Sequence, residues 1–194
     1  MPNLYIIAGC NGAGKTTASF TILPEVLNCR EFVNADTIAA ELSPQNPESV
    51  AIEAGRIMLK RVSELMDERA DFAFETTLAT RSYVSLIKKA HDFDYKVTLL
   101  YFWLDSPETA YDRVAKRVKE GGHNIPIDVI ERRYYRGIHN FMNLYAPIVD
   151  KWVLVNNVKL VPVVIAERLE LGNKIINNDI WIKISKQGES SENQ

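Results

Sequence analysis

The sequence has few cysteines and no excess of either charge. Its 194 residues include two cysteines, Cys10 and Cys29, which are too few for a disulfide framework or a cysteine-rich metal site. We therefore expect a reducing compartment, the cytoplasm. The net charge is −2, so no overall positive field recruits nucleic acid or an anionic membrane surface. This balance argues against nucleic acid as a partner.

Long apolar runs are also missing. The run from Leu4 to Ala8 is far too short to span a bilayer, and the residues before it lack the features of a signal peptide. We expect no membrane association. A chain of this length, 46% hydrophobic, can bury one core but not two full-sized ones. We predict a single domain over residues 1–185, followed by a disordered polar tail over 186–194.

What the sequence does contain is a glycine-rich motif directly after that first apolar run. Gly9-x-x-x-x-Gly14-Lys15-Thr16 is a Walker A pattern, whose backbone N–H groups cradle phosphates. Lys15 would lie on the β- and γ-phosphates, and the Thr16 hydroxyl would bind Mg²⁺. The alternative is a glycine-rich hairpin with an incidental lysine. The residues predicted to contact ATP are Gly9, Cys10, Asn11, Gly12, Ala13, Gly14, Lys15, Thr16 and Thr17.

Strand-like and helix-like segments alternate along the chain, which predicts an α/β fold. We expect a P-loop kinase-like three-layer sandwich with a mostly parallel central sheet and a helical lid over about residues 117–136. The lid would consist of a helix from Pro107 to Lys119 and a second helix begun by a capping box at Asp128, joined through Gly121-Gly122. The segment 160–166 is interpreted as a short helix or turn.

Two acidic residues follow predicted strands. Asp36 ends the second strand, where a carboxylate could accept a proton from a hydroxyl acceptor. Its alternative role is capping the helix that starts there, and both roles could coexist. Glu75 ends the strand 71–75 and resembles the Walker B acid that holds Mg²⁺. Its alternative is an ordinary strand ending in a solvated acid.

Three lid arginines are predicted to stabilise the charge on the transferring phosphoryl group: Arg117, Arg133 and Arg136. Each has the alternative of lying on a solvated basic helix face. His123, beside the two glycines, is a candidate substrate contact, and a surface-loop histidine is an equal alternative.

These segments together resemble the zeta toxin family of P-loop kinases, and in particular its short bacterial branch, sometimes described as predicted ABC-type ATPases. The resemblance lies in the Walker A motif, in 33–36 (Val-Asn-Ala-Asp), in 74–77 (Phe-Glu-Thr-Thr) continuing to Arg81, and in the arginine-rich lid. It implies ATP and Mg²⁺ as cofactors and Asp36 as the base. It implies substrate binding by Glu75, Thr77 and Arg81, so that Glu75 is a candidate for substrate as well as for metal.

The function predicted is transfer of the γ-phosphate of ATP to a hydroxyl of a small molecule. The resemblance implies a nucleotide sugar such as UDP-N-acetylglucosamine as acceptor and a small antitoxin protein as partner. An alternative is a regulatory P-loop ATPase whose nucleotide state is read by a protein partner. A nucleic-acid end kinase is disfavoured by the charge, and an ABC transporter ATPase by the lack of a Leu-Ser-Gly-Gly-Gln-type signature.

Overall fold

The computed structural model of the chain describes residues 1–122, 124–159 and 161–190. They contain a seven-stranded sheet. Its strands are β1 (Asn3–Ala8), β2 (Glu31–Val33), β3 (Phe72–Thr76), β4 (Lys96–Trp103), β5 (Lys151–Asn156), β6 (Val163–Leu169) and β7 (Gly172–Ile175). Their spatial order is β2-β3-β1-β4-β5-β6-β7.

Helices connect the first five strands and close the described part of the chain. The α-helices are α1 (Lys15–Thr21), α2 (Ala35–Leu42), α3 (Ala51–Asp67), α4 (Tyr83–Asp92), α5 (Pro107–Lys119), α6 (Ile127–Asn140) and α7 (Asn178–Ser190). Two wider π-helical turns, Ile22–Val26 and Phe141–Tyr145, extend α1 and α6. The first of them includes Pro24, where the sequence predicted the helix to stop.

Strands β1 to β5 pair in parallel, whereas β6 and β7 add antiparallel at one edge. The predicted α/β fold with a mostly parallel sheet is therefore confirmed. After β1 the chain builds toward β2 and β3 on one side and later returns to β4 on the other. In such sheets ligands bind beyond the carboxyl end of the strand where the direction reverses, and here that strand is β1.

The central strands are covered on both faces, as parallel strands connected by helices require. The side chains of Leu4, Ile6, Val97 and Leu99 have no exposed surface. A continuous apolar run in β1 and β4 is therefore favoured over an alternating one. The rigid centre that results fixes the positions of the loops that follow β1, β3 and β4.

The chain after β5 differs from its prediction. Residues 163–166 belong to strand β6, not to a short helix or turn. Three β-branched residues, Val163, Val164 and Ile165, favour the extended strand, but an apolar run this short does not reveal its period. The tail prediction is wrong for 186–190, which form the last turns of α7; residues 191–194 lie outside the described residues.

The start of α6 also differs. The helix begins at Ile127 after Pro126 and has no side-chain cap, so Asp128 lies inside the first turn and does not open a capping box. By contrast, α5 starts as predicted: the Ser106 hydroxyl accepts a hydrogen bond from the Thr109 amide at 3.3 Å. Among the described helices, none combines the length and apolar character needed to cross a membrane.

Candidate active site

The loop after β1 has the backbone that a phosphate-binding loop requires. Gly12 and Gly14 have φ angles of +76° and +79°, in the left-handed region that favours glycine. Gly9 lies against β4, and a Cβ there would be 2.3 Å from the Phe102 carbonyl oxygen. Each glycine of the motif is therefore required by conformation or by packing, and the hairpin alternative is excluded because the loop leads from β1 into α1.

Lys15 is held in place at the start of α1. Its side chain is 6% exposed, and its Nζ donates a hydrogen bond to the Cys10 carbonyl oxygen at 2.9 Å. The same Nζ lies 3.6 Å from Glu75 Oε1. A buried ammonium group needs such partners because burial disfavours its charge. The Lys15 side chain therefore folds back across the P-loop, and its Nζ faces Glu75 near the end of β3.

Glu75 links the P-loop to the second strand. Its Oε2 accepts hydrogen bonds from the Thr16 hydroxyl at 2.7 Å and from Asn34 Nδ2 at 2.9 Å. The alternative of a solvated acid at a strand end is thus wrong, because its side chain is 9% exposed and has three partners. A hydroxyl and a carboxylate in contact are hard oxygen donors of the type that Mg²⁺ prefers.

Asn34, and not Asp36, caps helix α2. The Asn34 side-chain oxygen accepts hydrogen bonds from the amides of Asp36 at 2.8 Å and of Thr37 at 3.4 Å. Asp36 lies in the first turn, where the helix dipole stabilises a negative charge. Its exposed carboxylate is therefore not used for capping.

A cavity of about 360 Å³ adjoins these residues. It brings together the P-loop lysine, both acids, the segment after β3 and three arginines of α6. Its lining consists of Asn11, Lys15, Asn34, Ala35, Asp36, Met58, Glu75, Thr76, Thr77, Ala79, Thr80, Tyr83, Arg132, Arg133 and Arg136.

The arginines of α6 face this cavity from one side. Arg133 donates a hydrogen bond from Nη1 to Asn11 Oδ1 in the P-loop at 3.2 Å. Burial lowers the pKa of the Arg133 guanidinium, while the nearby Asp36 carboxylate acts in the opposite direction. Arg132 and Arg136 are more exposed. Two of the three predicted lid arginines, Arg133 and Arg136, therefore line the same cavity as Asp36.

The third predicted lid arginine, Arg117, is placed differently. It lies near the end of α5 and does not line the cavity as the described residues define it. Within those residues, its Nε and Nη2 atoms are buried and have no hydrogen-bond partner. Gly122 packs so closely that a Cβ there would be 2.7 Å from Arg117 Cγ. His123, the other predicted contact of this region, lies outside the described residues.

The segment between β3 and α4, residues 77–82, is held from α6. A Cβ at Gly137 would be 2.7 Å from the Thr77 carbonyl oxygen, so α6 approaches this backbone closely. Asn140 Nδ2 donates to the Leu78 carbonyl oxygen at 2.8 Å. Leu78 itself has a φ of +61°, a strained value for leucine. Thr77 lines the cavity, whereas Arg81 is exposed and does not.

A second set of contacts holds the P-loop from outside. Asn157, just after β5, donates from Nδ2 to the Ala13 carbonyl oxygen at 2.7 Å. Arg113 of α5 donates from Nη2 to the carbonyl oxygens of Asn157 and Val158, both at 2.8 Å. Its Nη1 lies 3.4 Å from the Gly12 carbonyl oxygen. The loop is therefore braced by two elements distant in sequence.

Sequence reasoning missed several of these residues. Asn140 and Asn157 act through amide groups whose partners lie far away in the chain, and no spacing rule points to them. Arg132 also lines the cavity and is not among the predicted lid arginines. The signal that could have found Asn34 is its place two residues before Asp36 at a helix start, where asparagine is a favoured cap.

The sheet order, the glycine loop after β1 and the α5–α6 layer over it define a P-loop kinase fold. The zeta toxin family model matches residues 1–161 of the chain. The chain belongs to the zeta toxin family. An uncharacterized protein of Haemophilus influenzae (strain ATCC 51907 / DSM 11121 / KW20 / Rd) is 32% identical over 126 residues, which cover 65% of this chain and 88% of that protein.

Solved structures share the fold at low sequence identity. The chain superposes on the AvrRxo1-ORF1:-ORF2 structure with ATP with a TM-score of 0.76 at 18% identity, covering 95% of this chain and 64% of that one. It superposes on a structure from the PezAT chromosomal toxin-antitoxin system of Streptococcus pneumoniae with a TM-score of 0.69 at 17% identity, covering 100% and 86%. The chain thus spans less than two thirds of the AvrRxo1 chain it matches.

Proposed function

We propose that the protein is an ATP-dependent kinase that transfers the γ-phosphate to a hydroxyl of a small molecule. The observation that carries this proposal is that one cavity collects the P-loop lysine, a free carboxylate at a helix start and several arginines. Those are the parts that phosphoryl transfer needs: a phosphate cradle, an acceptor-positioning acid and cations around the transferred group. Membership of the zeta toxin family supports the same reading.

ATP would occupy the P-loop, with its phosphates on the backbone N–H groups of residues 9–17. The positive φ of Gly12 and Gly14 supports this role, because a side chain at either position would strain a loop that must approach a phosphate. Lys15 would exchange its contact with the Cys10 carbonyl for the β- and γ-phosphates.

Mg²⁺ would be held by the Thr16 hydroxyl and, directly or through water, by Glu75, whose oxygens fit this ion. The ion would neutralise charge on the phosphates to which it is bound. Glu75 also lines the cavity and could contact the acceptor. Glu75→Gln should weaken Mg²⁺ binding if Glu75 serves the metal, and it should weaken acceptor binding if Glu75 serves the substrate.

Asp36 would orient the acceptor hydroxyl and take its proton. Its carboxylate borders the cavity, is not consumed by helix capping, and lies within the electrostatic reach of Arg133. A carboxylate that is exposed to the cavity and near the phosphate site suits a positioned base.

The arginines would stabilise the charge that develops during transfer. Arg133 and Arg136 line the cavity, and Arg117 carries two buried guanidinium nitrogens without a partner among the described residues. Buried unpaired donors are uncommon unless a ligand satisfies them. An ATP phosphate is a ligand of the right charge, so all three remain our candidates for this role.

The acceptor side of the cavity would be formed by Thr77 and Glu75. Arg81 and His123 remain proposed contacts of the acceptor. We propose a nucleotide sugar such as UDP-N-acetylglucosamine as the acceptor and a small antitoxin protein as a partner. Support for the partner comes from the family and from the toxin-antitoxin system to which the PezAT relative belongs.

The test is a screen of a metabolite extract with labelled ATP and Mg²⁺, comparing the wild type with Lys15→Ala. A labelled product that depends on Lys15 is expected and would identify the acceptor, with purified UDP-N-acetylglucosamine as the first compound to check. Lys116→Ala, an exposed lysine on α5, is the matched control and should keep full activity. Acceptor-independent hydrolysis alone would favour a regulatory ATPase and contradict the kinase proposal.

A further inference from the structure

Arg113 and Asn157 contact the P-loop, and neither residue lines the cavity as the described residues define it. They come from different elements, helix α5 and the segment after β5, and they are joined to each other: Arg113 Nη2 donates to the backbone carbonyl oxygens of Asn157 and Val158, both at 2.8 Å. The Asn157 amide in turn donates to the Ala13 carbonyl oxygen at 2.7 Å. We call these two residues the outer clamp.

The clamp fixes the direction of one peptide group of the loop. In a trans peptide the C=O and the N–H point in opposite directions. Because the Ala13 carbonyl points at Asn157, the N–H of Gly14 in the same peptide group points to the other face of the loop. That face is where a phosphate would lie if the proposed function is correct.

The position of Asn157 is itself strongly determined. Its backbone N–H donates to the Trp103 carbonyl oxygen at 3.0 Å, and the next amide, that of Val158, donates to Asn156 Oδ1 at 3.1 Å. Its side chain also lies so close to Gly14 that a Cβ there would be 2.6 Å from Asn157 Nδ2. The loop and the clamp are thus packed together with no space for a larger residue at position 14.

We propose that Arg113 and Asn157 are positioning residues for phosphate binding. Asn157 holds the Ala13–Gly14 peptide with its N–H toward the phosphates, and Arg113 holds Asn157. Neither residue needs to touch the nucleotide for this role. The proposal rests on the proposed function, because it assigns the clamp a purpose only if the loop binds phosphates.

The experiment measures the affinity of tripolyphosphate, ATP and adenosine by titration calorimetry for the wild type, Asn157→Ala and Asn157→Asp. Losing the donor leaves the Ala13 carbonyl without its partner, and such a loss corresponds to a fall in affinity of about tenfold. We expect this fall for ATP and for tripolyphosphate alike, with adenosine binding unchanged. Arg113→Lys keeps the charge but loses the two-carbonyl contact and should give a smaller fall for the same two ligands.

Asn156→Asp is the matched control for the charge that Asn157→Asp introduces. Asn156 acts as an acceptor toward the Val158 amide, a role that aspartate also fills. The Asn156→Asp variant should therefore bind tripolyphosphate with nearly the affinity of the wild type. Thermal unfolding of each variant shows whether it is folded. If Asn157→Asp does not fold, the affinities of Asn157→Ala decide the test.

Two results would overturn the proposal. If the variants lose ATP affinity but keep tripolyphosphate affinity, Asn157 acts on the base or ribose and not on the loop. If neither affinity changes in folded variants, the clamp has no role in binding. A wild type that binds neither ATP nor tripolyphosphate would instead overturn the nucleotide site itself, and the clamp with it.

Discussion

The two loops that border the cavity are fixed in different ways. The P-loop is held by residues from α5 and from the end of β5, and its lysine is tied to its own backbone and to Glu75. The segment 77–82 is held mainly by α6, through the close approach at Gly137 and the hydrogen bond from Asn140. The nucleotide side is therefore braced mainly by elements other than α6, although Arg133 of α6 also contacts Asn11 of the P-loop. The acceptor side is braced by the same helix that carries the cavity arginines.

This difference leads to a clear expectation for kinetics. Changes on the outer side of the P-loop should alter ATP binding and leave acceptor binding nearly unchanged. Changes on α6 should alter acceptor binding, and they also risk moving Arg132, Arg133 and Arg136, which are carried by the same helix.

Asp36→Asn should have the largest effect. It keeps the shape of the side chain but removes the base, and losing a positioned base costs about 10²- to 10⁴-fold in rate. We expect kcat for phosphoryl transfer to fall by this amount while the Kd of ADP changes little. Glu41→Gln, on the exposed face of the same helix, is the control. A variant that retained the wild-type kcat would rule out Asp36 as the base.

Gly14→Ala should act on the nucleotide side. Its φ of +79° disfavours alanine, at a cost of about 1–3 kcal/mol, and the added Cβ would displace the Asn157 amide. A tenfold change in affinity corresponds to about 1.4 kcal/mol. We therefore expect KM for ATP to increase about tenfold or more, with little change in KM for the acceptor. An equal increase in both KM values would show that the two sides are not independent.

Gly137→Ala should act on the acceptor side. The added Cβ would be 2.7 Å from the Thr77 carbonyl oxygen and 2.9 Å from the hydroxyl of the buried Tyr101. Overpacking of this kind costs about 1–3 kcal/mol, and the loop backbone must shift to relieve it. Steady-state kinetics should show a raised KM for the acceptor. Gly55→Ala, where a Cβ meets nothing within 4 Å, is the helix control and should be neutral or slightly stabilising.

Alkylation of native Cys10 is the smallest expected effect, because the thiol is buried in the P-loop. The side chain is 2% exposed, and burial raises the thiol pKa to about 11, although nearby Lys15 acts in the opposite direction. The reactive thiolate is therefore scarce at neutral pH and increases only as the pH approaches that value. Mass spectrometry after iodoacetamide treatment should find native Cys10 unmodified at neutral pH and modified after unfolding. Rapid modification of the native protein would mean that the loop opens.

Much of this organisation follows from patterns within short segments. The Walker A spacing predicted the P-loop, and the apolar runs ending in Asp36 and Glu75 predicted which strands deliver acids to the same edge of the sheet. The second prediction depends on a general rule, that parallel strands present their carboxyl ends at the same edge of the sheet.

The parts that could not be predicted depend on contacts between distant segments. Nothing in the sequence around Asn157 indicates that its amide reaches Ala13, 144 residues away. The strand β6 was missed because its apolar run is too short to reveal a period, although its β-branched residues favour a strand and it pairs with β5. The helical state of residues 186–190 likewise depends on packing, since the segment is polar and has little intrinsic apolar periodicity.

The packing of α6 determines where its arginines lie, and this affects how the protein would discriminate among ligands. The helix buries Ile130, Tyr134 and Ile138, and the Tyr134 hydroxyl is anchored to the Leu104 carbonyl oxygen at 2.8 Å. It also packs against α7, where His139 contacts the Gly188 carbonyl oxygen at 2.8 Å. These contacts hold α6 against the core and against α7. We therefore expect the arginines of α6 to be positioned before a ligand binds. Ligands would then be selected by how well their negative groups match these fixed positive charges.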